Sequence, residues 1–264
     1  MNGLSTEAFL AGHPVFSLQE LAMAIRGSRS TALERVKHHL ARGRLKRVAK
    51  EVYAAVPPGV VPEEFSPDRY LVAAVARPDG ILSHHAALEL LGVAHSDWNE
   101  CTVLCQTRRT PIVLGGVQVR FLVHPAALRR SGEERIGTRQ TQRMGRAVVH
   151  TGPERALVEG FSHPDLVGGL DELVESAAGF GVLDLALTER ILEAFGQRSL
   201  WACVGWFLER YQERFFVPEK YLHRLELERP RSAQYVPRGY RGGDFHRRWN
   251  LVLPESLSEG WEGT

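Results

Sequence analysis

Residues 28–53, SRSTALERVKHHLARGRLKRVAKEVY, combine a helix-like segment with a short basic one and decide the fold expected for the start of the chain. At about 100° per residue, the apolar positions of the first half fall on one side of a helix from about Ser30 to Arg42. The buried stripe predicted for this helix is Leu33, Val36, Lys37 and Leu40. Its predicted outward face is Thr31, Arg35, His38 and Arg42. Gly43 follows at the position where a left-handed residue commonly ends a helix.

The segments on either side complete a helix-turn-helix pattern. Ser17 and Glu20 match a capping box, which predicts a helix over residues 18–25. Residues 44–48 and 52–56 are expected to pair as a β-hairpin, or wing. This order of helix, turn, cationic helix and basic hairpin is typical of a winged helix-turn-helix, whose second helix enters the major groove of DNA. We therefore expect an amino-terminal DNA-binding domain over residues 1–58.

Two sets of side chains are expected to touch DNA. The groove-facing set is Ser28, Arg29, Thr31, Arg35, His38 and Arg42. The phosphate-facing set on the hairpin is Arg44, Lys46, Arg47 and Lys50. The alternative is a solvated charged helix face, which is the usual explanation of such a charge run. His38 and His39 are expected to face the groove or solvent rather than a metal ion, because neighbouring helical residues point about 100° apart.

The charge distribution separates the first part of the chain from the rest. The 264 residues carry a net charge of +2, but residues 1–60 hold nine Lys or Arg against four Asp or Glu. Their net charge is therefore +5, which leaves −3 for the other 204 residues. A basic segment joined to a mildly acidic one indicates a polyanionic partner for the first part only.

The composition, 44% hydrophobic and 24% charged, is that of an ordinary globular protein. The opening residues lack the basic region of a signal peptide, and no apolar run approaches the roughly 20 residues that span a bilayer. We expect a cytoplasmic protein without a membrane partner. Cys101, Cys105 and Cys203 form no CxxC pair, which favours a reducing compartment over a disulfide framework.

A linker and a second domain are expected after the hairpin. Three prolines between Pro57 and Pro62 predict an extended connection. Beyond it, helical and strand-like segments alternate, which predicts a larger mixed α/β domain over residues 63–264 and an α+β protein overall. Predicted helices include residues 68–77, 84–91 with Ser83 as cap, and 154–161. Predicted strands include residues 101–105, 117–123 and 147–149.

Several short motifs are shared with a known family. They are ARGRL at 41–45 with Val52-Tyr53, ILSHHAALELLG at 81–92, TGPERALVE at 151–159 and GWFLE at 205–209. Over nearly its whole length the chain thereby resembles the AbiEi family of antitoxins from bacterial abortive-infection, or type IV toxin–antitoxin, systems. It departs from the family at Glu51, where members often have glycine, so a longer or different turn than type I′ is expected in the hairpin.

The resemblance implies a two-part protein. The winged helix would bind inverted repeats in the promoter of its own operon and repress transcription. The carboxy-terminal domain would counteract a nucleotidyltransferase toxin. Two alternatives stay open: the carboxy-terminal domain is an enzyme that transfers a phosphoryl group to the toxin, or the protein is a DNA-binding regulator with no toxin partner.

No motif supports catalysis, a metal ion or a cofactor, so we expect a protein that is not an enzyme. The GGDF sequence at Gly242–Phe245 lacks the rest of a diguanylate cyclase signature. Cys101 and Cys105 would share one strand face and are expected in the core. His85 and Glu89 lie one helical turn apart without a third ligand, which favours a packing or capping feature over a metal site.

A second basic cluster lies near the end of the sequence. It comprises Arg238, Arg241, His246, Arg247 and Arg248, interleaved with Tyr235, Tyr240, Phe245 and Trp249. Arginines mixed with aromatic rings suit contact with nucleic acid or with an acidic protein. The same mixture occurs at a sheet edge where arginine stems cover aromatic rings. If the cluster is functional, Arg238, Arg241, Arg247 and Arg248 form the candidate antitoxin surface.

Overall fold

The computed structural model describes residues 3–258 and shows an α+β protein with helices and three β-sheets. Residues 1, 2 and 259–264, which the predicted domains include, lie outside the described residues. The chain divides into two compact units. The first comprises Met1–Leu82, Asn99–Val123 and Gln140–His150, and the second Ser83–Trp98, His124–Arg139 and Thr151–Thr264. This division differs from the predicted boundary at residues 58–63, because the first sixty residues share a compact unit with strands from later in the chain.

The start of the first unit consists of three helices and a small antiparallel sheet. The elements are α1 (Thr6–Gly12), β1 (Val15–Ser17), α2 (Leu18–Ala24), α3 (Arg29–Ala41), β2 (Leu45–Ala49) and β3 (Val52–Ala55), with sheet order β1-β3-β2. Their shared core is Phe9, Phe16, Leu18, Leu21, Ala32, Val36, Leu45 and Tyr53. The helices and the hairpin lie where the sequence predicts them, within about two residues at each end.

Local capping chemistry explains where these helices begin and end. The Ser17 hydroxyl accepts a hydrogen bond from the Glu20 N–H, and the Glu20 carboxylate accepts one from the Ser17 N–H, so the predicted capping box is confirmed. Ser28 caps α3 by accepting from the Thr31 N–H at 3.1 Å. Gly43 has a φ of +67°, the left-handed conformation expected after this helix.

The rest of the first unit is built around a six-stranded sheet. Its elements are α4 (Arg69–Ala76), β4 (Ile81–Leu82), β5 (Glu100–Cys105), β6 (Ile112–Leu114), β7 (Val117–Val123), β8 (Thr138–Arg143) and β9 (Arg146–Thr151), with strand order β6-β7-β5-β4-β9-β8. The sequence did not predict the short β6 or the polar β8. β6 and β7 form an antiparallel hairpin around Gly115, and β5 pairs with β7 in parallel. Cys101 and Cys105 are both buried in β5, as expected for core thiols.

The second unit is mainly helical. Its helices are α5 (His85–Leu90), α6 (Ala126–Ser131), α7 (Pro153–Ser162), a 3-10 turn (Pro164–Leu166), α8 (Leu170–Ala178), α9 (Leu185–Phe195), α10 (Arg198–Arg210), α11 (Glu219–Leu227) and α12 (Glu255–Ser258). Its third sheet contains β10 (Gln234–Tyr235), β11 (Asp244–His246) and β12 (Leu251–Leu253) in the order β10-β12-β11. Among the described helices of the chain, none is both long and apolar enough to cross a bilayer.

A buried ion pair accounts for Arg155 and Glu159, two of the three charged residues of the TGPERALVE motif. The guanidinium of Arg155, which is fully buried in α7, donates to the Glu159 carboxylate at 2.8 Å and to the carbonyls of Glu134 and Ile136. Removing one partner of such a pair leaves an uncompensated charge in the interior. These charged residues of the motif are therefore part of the packing of the second unit.

The central helix α10 is held against the third sheet by the ring of Trp249. Trp206 and Trp249 are both fully buried, and the Trp249 indole N–H donates to the Glu209 carboxylate at 2.6 Å. Gly205 lies directly under this ring, so that a Cβ at position 205 would sit 2.1 Å from a Trp249 ring carbon. Gly205 therefore allows the close contact between α10 and the ring, although glycine weakens a helix interior by about 1 kcal/mol.

We expect Gly205→Ala to destabilise the protein by at least about 2 kcal/mol, because the clash with Trp249 outweighs the better helix propensity of alanine. Urea unfolding followed by circular dichroism measures the change. Gly181→Ala is the matched control, since no atom lies within 4 Å of the added methyl group. Equal unfolding free energies for the two variants would contradict this account of Gly205.

His84 occupies a strained corner between β4 and α5. The sequence predicts Ser83 as the helix cap, but His84 is the residue before the helix, and it makes no side-chain cap hydrogen bond. Its backbone has φ 54° and ψ −132°, a conformation rare for a residue other than glycine. Its ring is buried, and Nδ1 lies 2.9 Å from the Ser83 hydroxyl. The cap prediction was wrong because the serine hydroxyl bonds this ring instead of the helix N–H groups.

Burial lowers the pKa of His84 to about 4, although the nearby carboxylates of Glu159 and Asp165 favour protonation. The positive charges of His163 and Arg155 act in the same direction as burial. An unfolded chain, with the ordinary histidine pKa near 6.5, takes up this proton at a higher pH than the folded protein does. Protonation therefore favours unfolding as the pH falls from 7 towards 4.

We expect the unfolding free energy of the wild type to fall between pH 7 and pH 5, with His84 contributing on the order of 2 kcal/mol. The comparison is with His84→Asn, because asparagine does not titrate. Urea unfolding at the two pH values should show a smaller loss in the variant. An identical loss in both proteins would exclude His84 as a source of the pH dependence.

Candidate nucleic-acid interface

One side of α3 is buried in the core of the three-helix segment. Val36 and Ala32 are fully buried, whereas Lys37 is exposed and its ammonium bonds Glu34 at 2.8 Å. The prediction that Lys37 belongs to the buried stripe was therefore wrong. His39 is buried instead, which corrects the expectation that it faces the groove or solvent. Burial, aided by the positive charges of His38 and Arg44, lowers the pKa of His39.

The outward face of α3 is as the sequence predicts. Thr31, Arg35, His38 and Arg42 are all exposed. Arg35 also bonds the Thr6 hydroxyl of α1 at 2.7 Å, which holds its guanidinium towards the start of that helix. His38 and Arg42 lie one turn apart on this face, where they can approach a groove.

The β2–β3 hairpin ends in a two-residue loop, Lys50-Glu51, since Ala49 pairs with Val52. Glu51 has a φ of +61° and thus takes the left-handed conformation that favours glycine. Its carbonyl accepts a hydrogen bond from the Leu18 N–H at 2.9 Å, and its carboxylate pairs with Arg29. The hairpin tip is therefore linked to the starts of both α2 and α3.

The predicted phosphate-binding side chains differ in the hydrogen bonds and ion pairs that they already form within the protein. The Lys46 ammonium is half-buried and donates to the carbonyls of Phe65 at 2.7 Å and Glu63 at 3.2 Å. Arg47 is exposed and makes one weak bond to the Ala49 carbonyl at 3.4 Å, and Arg44 lies 4.0 Å from Glu7. Lys50 is exposed at the hairpin tip. Arg44, Arg47 and Lys50 are consequently more available for phosphate than Lys46.

A salt bridge fixes the capping box of α2 to the six-stranded sheet of the same unit. Arg146 in β9 contacts the Glu20 carboxylate at 2.8 Å and the Val15 carbonyl at 3.4 Å. Burial alone would raise the pKa of Glu20, but the Ser17 N–H and the Arg146 guanidinium hold this pKa below its ordinary value. Glu20 thus serves both the cap and this salt bridge.

An open cleft of about 690 Å³ lies beside the hairpin tip. One wall is formed by residues 48–52 and another by residues 109–113, so Lys50 and Arg109 line the same cleft. Arg109 is not among the residues that the sequence predicts to bind DNA. The sequence feature that could have indicated Arg109 is its position next to Arg108. The sequence does not show that the loop of these two arginines lies beside the hairpin, which only the fold reveals.

The carboxy-terminal basic cluster separates into two groups. Arg248 is bound by three carboxylates, those of Glu209 at 2.6 Å, Glu219 at 2.6 Å and Glu226 at 3.2 Å. It therefore acts within the fold, covering Trp249 with its guanidinium 5.3 Å from the ring centroid. Arg238, Arg241 and Arg247 are exposed. Of the predicted antitoxin surface, these three arginines are available to a partner, whereas the charge of Arg248 is already paired within the fold.

His85 and Glu89 lie on one helix face as the spacing predicts, with Nδ1 of His85 3.4 Å from the Glu89 carboxylate. Nε2 of His85 lies 3.4 Å from Glu172, and the ring stacks on Trp98. Among residues 3–258, no group of three or more His, Cys, Asp or Glu is arranged to hold a metal ion. The three side chains instead link α5 to α8 within the second unit.

Comparison with known proteins gives a fold relationship only. No family model matches the chain, and no curated protein sequence matches it. The structure is similar to the crystal structure of the RV2827C protein from Mycobacterium tuberculosis, with a TM-score of 0.59 and 16% sequence identity. The similarity covers 94% of this chain and 89% of that one. It therefore extends over both compact units and agrees with the α+β class.

We expect Lys46→Met to destabilise the protein by about 1–2 kcal/mol, because it removes charge-assisted bonds to the Glu63 and Phe65 carbonyls. Lys50→Met is the matched control and should stay within about 0.5 kcal/mol of the wild type, since Lys50 is exposed. Chemical denaturation at neutral pH measures both changes. The assignment of Lys46 to folding would be contradicted if the two variants were equally stable.

Proposed function

We propose that this protein is a DNA-binding transcriptional repressor, with α2, α3 and the β2–β3 hairpin acting as a winged helix-turn-helix. The observation that carries the proposal is the outward face of α3, on which Arg42 and His38 are exposed beside a basic hairpin. A helix of this kind presents its outward residues to the major groove while the hairpin follows the phosphate backbone.

The distribution of charge supports the same function. The net charge of +5 over residues 1–60 gives a long-range attraction to a polyanion that the rest of the chain, at −3, lacks. Arg42, Arg44, Arg47 and Lys50 are exposed cations of the last turn of α3 and the hairpin. Phosphate contacts of this kind position a protein on DNA without specifying sequence.

The groove-facing residues would determine the sequence specificity of DNA binding. Ser28, Thr31 and Arg29 lie at the amino-terminal end of α3, the end of a recognition helix that usually contacts base edges. Arg29 must exchange its pairing with Glu51 for a DNA contact, whereas the Ser28 and Thr31 hydroxyls bond one another at 2.9 Å. Inverted repeats would be bound by two copies of α3, from a dimer or from cooperative monomers.

The antitoxin part of the proposal rests on the resemblance to the AbiEi family. In that reading the protein represses its own operon and counteracts a nucleotidyltransferase toxin, with Arg238, Arg241 and Arg247 as the candidate antitoxin surface. Co-expression with a nucleotidyltransferase encoded in the same operon should restore growth. Transfer of labelled phosphate from nucleotide to the toxin by the purified protein would instead support an enzyme, and an operon without such a toxin would support a plain regulator.

For DNA binding we expect Arg42→Ala and Arg47→Ala each to weaken binding to the operon's promoter duplex. Each should lower the slope of log K against log salt concentration by about 0.9, because each removes one cation that displaces counterions from the DNA. Fluorescence anisotropy at a series of salt concentrations measures both the affinity and the slope.

Lys37→Ala is the matched control, since Lys37 is an exposed cation on α3 that lies about 100° around the helix from His38. It removes the same charge from the same helix but not from the proposed interface. Unchanged slopes for Arg42→Ala and Arg47→Ala, or an equal decrease for Lys37→Ala, would refute the assignment of this face.

A further inference from the structure

The third sheet of the second unit has an inner face in the core and an outer face that combines the buried Val252 with the exposed Tyr235 and Phe245. On the inner face, Leu251 and Leu253 of β12 are fully buried, and His246 of β11 packs edge-on against Trp206 with ring centroids 5.9 Å apart. Successive side chains along a strand point to opposite faces. Val252 and Phe245 therefore belong to the outer face.

Register places two aromatic residues in one row of that outer face. Val252 pairs with Tyr235 of β10 on one side and with Phe245 of β11 on the other. Residues paired across neighbouring strands project to the same side of a sheet, so Tyr235, Val252 and Phe245 form a row. The two aromatic residues are separated by two interstrand spacings, about 10 Å. Tyr235 is 49% exposed and Phe245 54% exposed, so both rings are accessible.

Three exposed arginines lie close to this row in the sequence. Arg238 and Arg241 lie in the connection between β10 and β11, and Arg247 directly follows β11. All three are exposed, in contrast to Arg248, which three carboxylates neutralise. Asp244 is the one exposed acidic residue between Tyr235 and Trp249. The segment that carries the two exposed rings is thus rich in exposed positive charge.

We propose that single-stranded RNA binds to this outer face, with one base stacked on Tyr235, another on Phe245, and phosphates held by Arg238, Arg241 and Arg247. Two aromatic rings on adjacent parts of a sheet surface are a way of holding unpaired bases, because each base offers a flat π-face. RNA is favoured over DNA as the ligand, because proteins recognise RNA mainly at single-stranded loops, bulges and ends, where the bases are free to stack.

An acidic protein segment would pair with the arginines through its carboxylates, and its apolar side chains would pack on the rings. The alignment of two rings in one row of the sheet favours unpaired bases, because each base has a flat π-face that stacks on one ring. The inference is independent of the proposed binding of duplex DNA, because none of these residues belongs to α2, α3 or the β2–β3 hairpin. It assigns to RNA the three arginines that the antitoxin proposal assigns to a toxin contact.

The test measures binding of the full chain to a labelled oligouridylate of about 12 nucleotides by fluorescence anisotropy. We expect Tyr235→Ala and Phe245→Ala each to weaken binding about tenfold, and Arg241→Ala to reduce its salt dependence. Phe216→Ala is the matched aromatic control, since Phe216 is 89% exposed but lies outside the sheet, and Arg190→Ala is the control for the exposed arginine.

Several results would overturn the proposal. Binding that survives in the double variant Tyr235→Ala with Phe245→Ala, or that falls equally in Phe216→Ala, would overturn it. Equal or tighter binding of the matching oligodeoxyuridylate would assign the face to single-stranded DNA and overturn the choice of RNA. Displacement of the RNA by poly-glutamate at equal charge concentration would identify an acidic-protein surface instead. Arg47→Ala should leave oligouridylate binding unchanged, which separates this result from a failure of duplex binding.

Discussion

The orientation of α3 depends on the burial of one stripe of its side chains. Val36 and Ala32 are removed from water against Phe16, Leu21 and their neighbours, and this burial determines which residues remain outside. Apolar burial has no direction of its own, so the helix rotates until its widest apolar side is covered. The cationic residues then lie outward as a consequence. The DNA-binding proposal therefore depends on the packing of uncharged residues.

The elements that sequence predicts best are those determined by local chemistry. The cap formed by Ser17 and Glu20, the left-handed Gly43 and the β2–β3 hairpin all follow from neighbouring residues, and all are present. Lys37 and His39 show the limit, because their angular positions on α3 are both near the edge of the apolar stripe. Only the position of the packed elements decides that the imidazole is buried and the longer lysine reaches solvent. In the same way, β8 has a polar sequence and becomes a strand through its partner in the sheet, β9.

The charges of the candidate surfaces illustrate a second limit of sequence. Lys46 and Arg248 belong to basic clusters, yet one bonds two carbonyls and the other bonds three carboxylates. Their partners are between 17 and 39 residues away in the sequence, so no local pattern reveals them. A count of basic residues therefore overstates the charge available to a ligand. The residues left exposed, such as Arg42 and Lys50, are defined by the absence of a nearby acceptor in the described part of the fold.

The link between Glu51 and Arg29 has a consequence for how the hairpin responds to its surroundings. The Arg29 side chain is 69% exposed and the Glu51 side chain 41% exposed, so dissolved ions screen their attraction. Raising the ionic strength would loosen the hairpin tip from α3 while it also weakens the pull of a polyanion. The salt response of a complex would then combine counterion release with a change in internal rigidity. Dissolved salt would therefore act on the internal pairing of the hairpin tip as well as on the attraction to a polyanion.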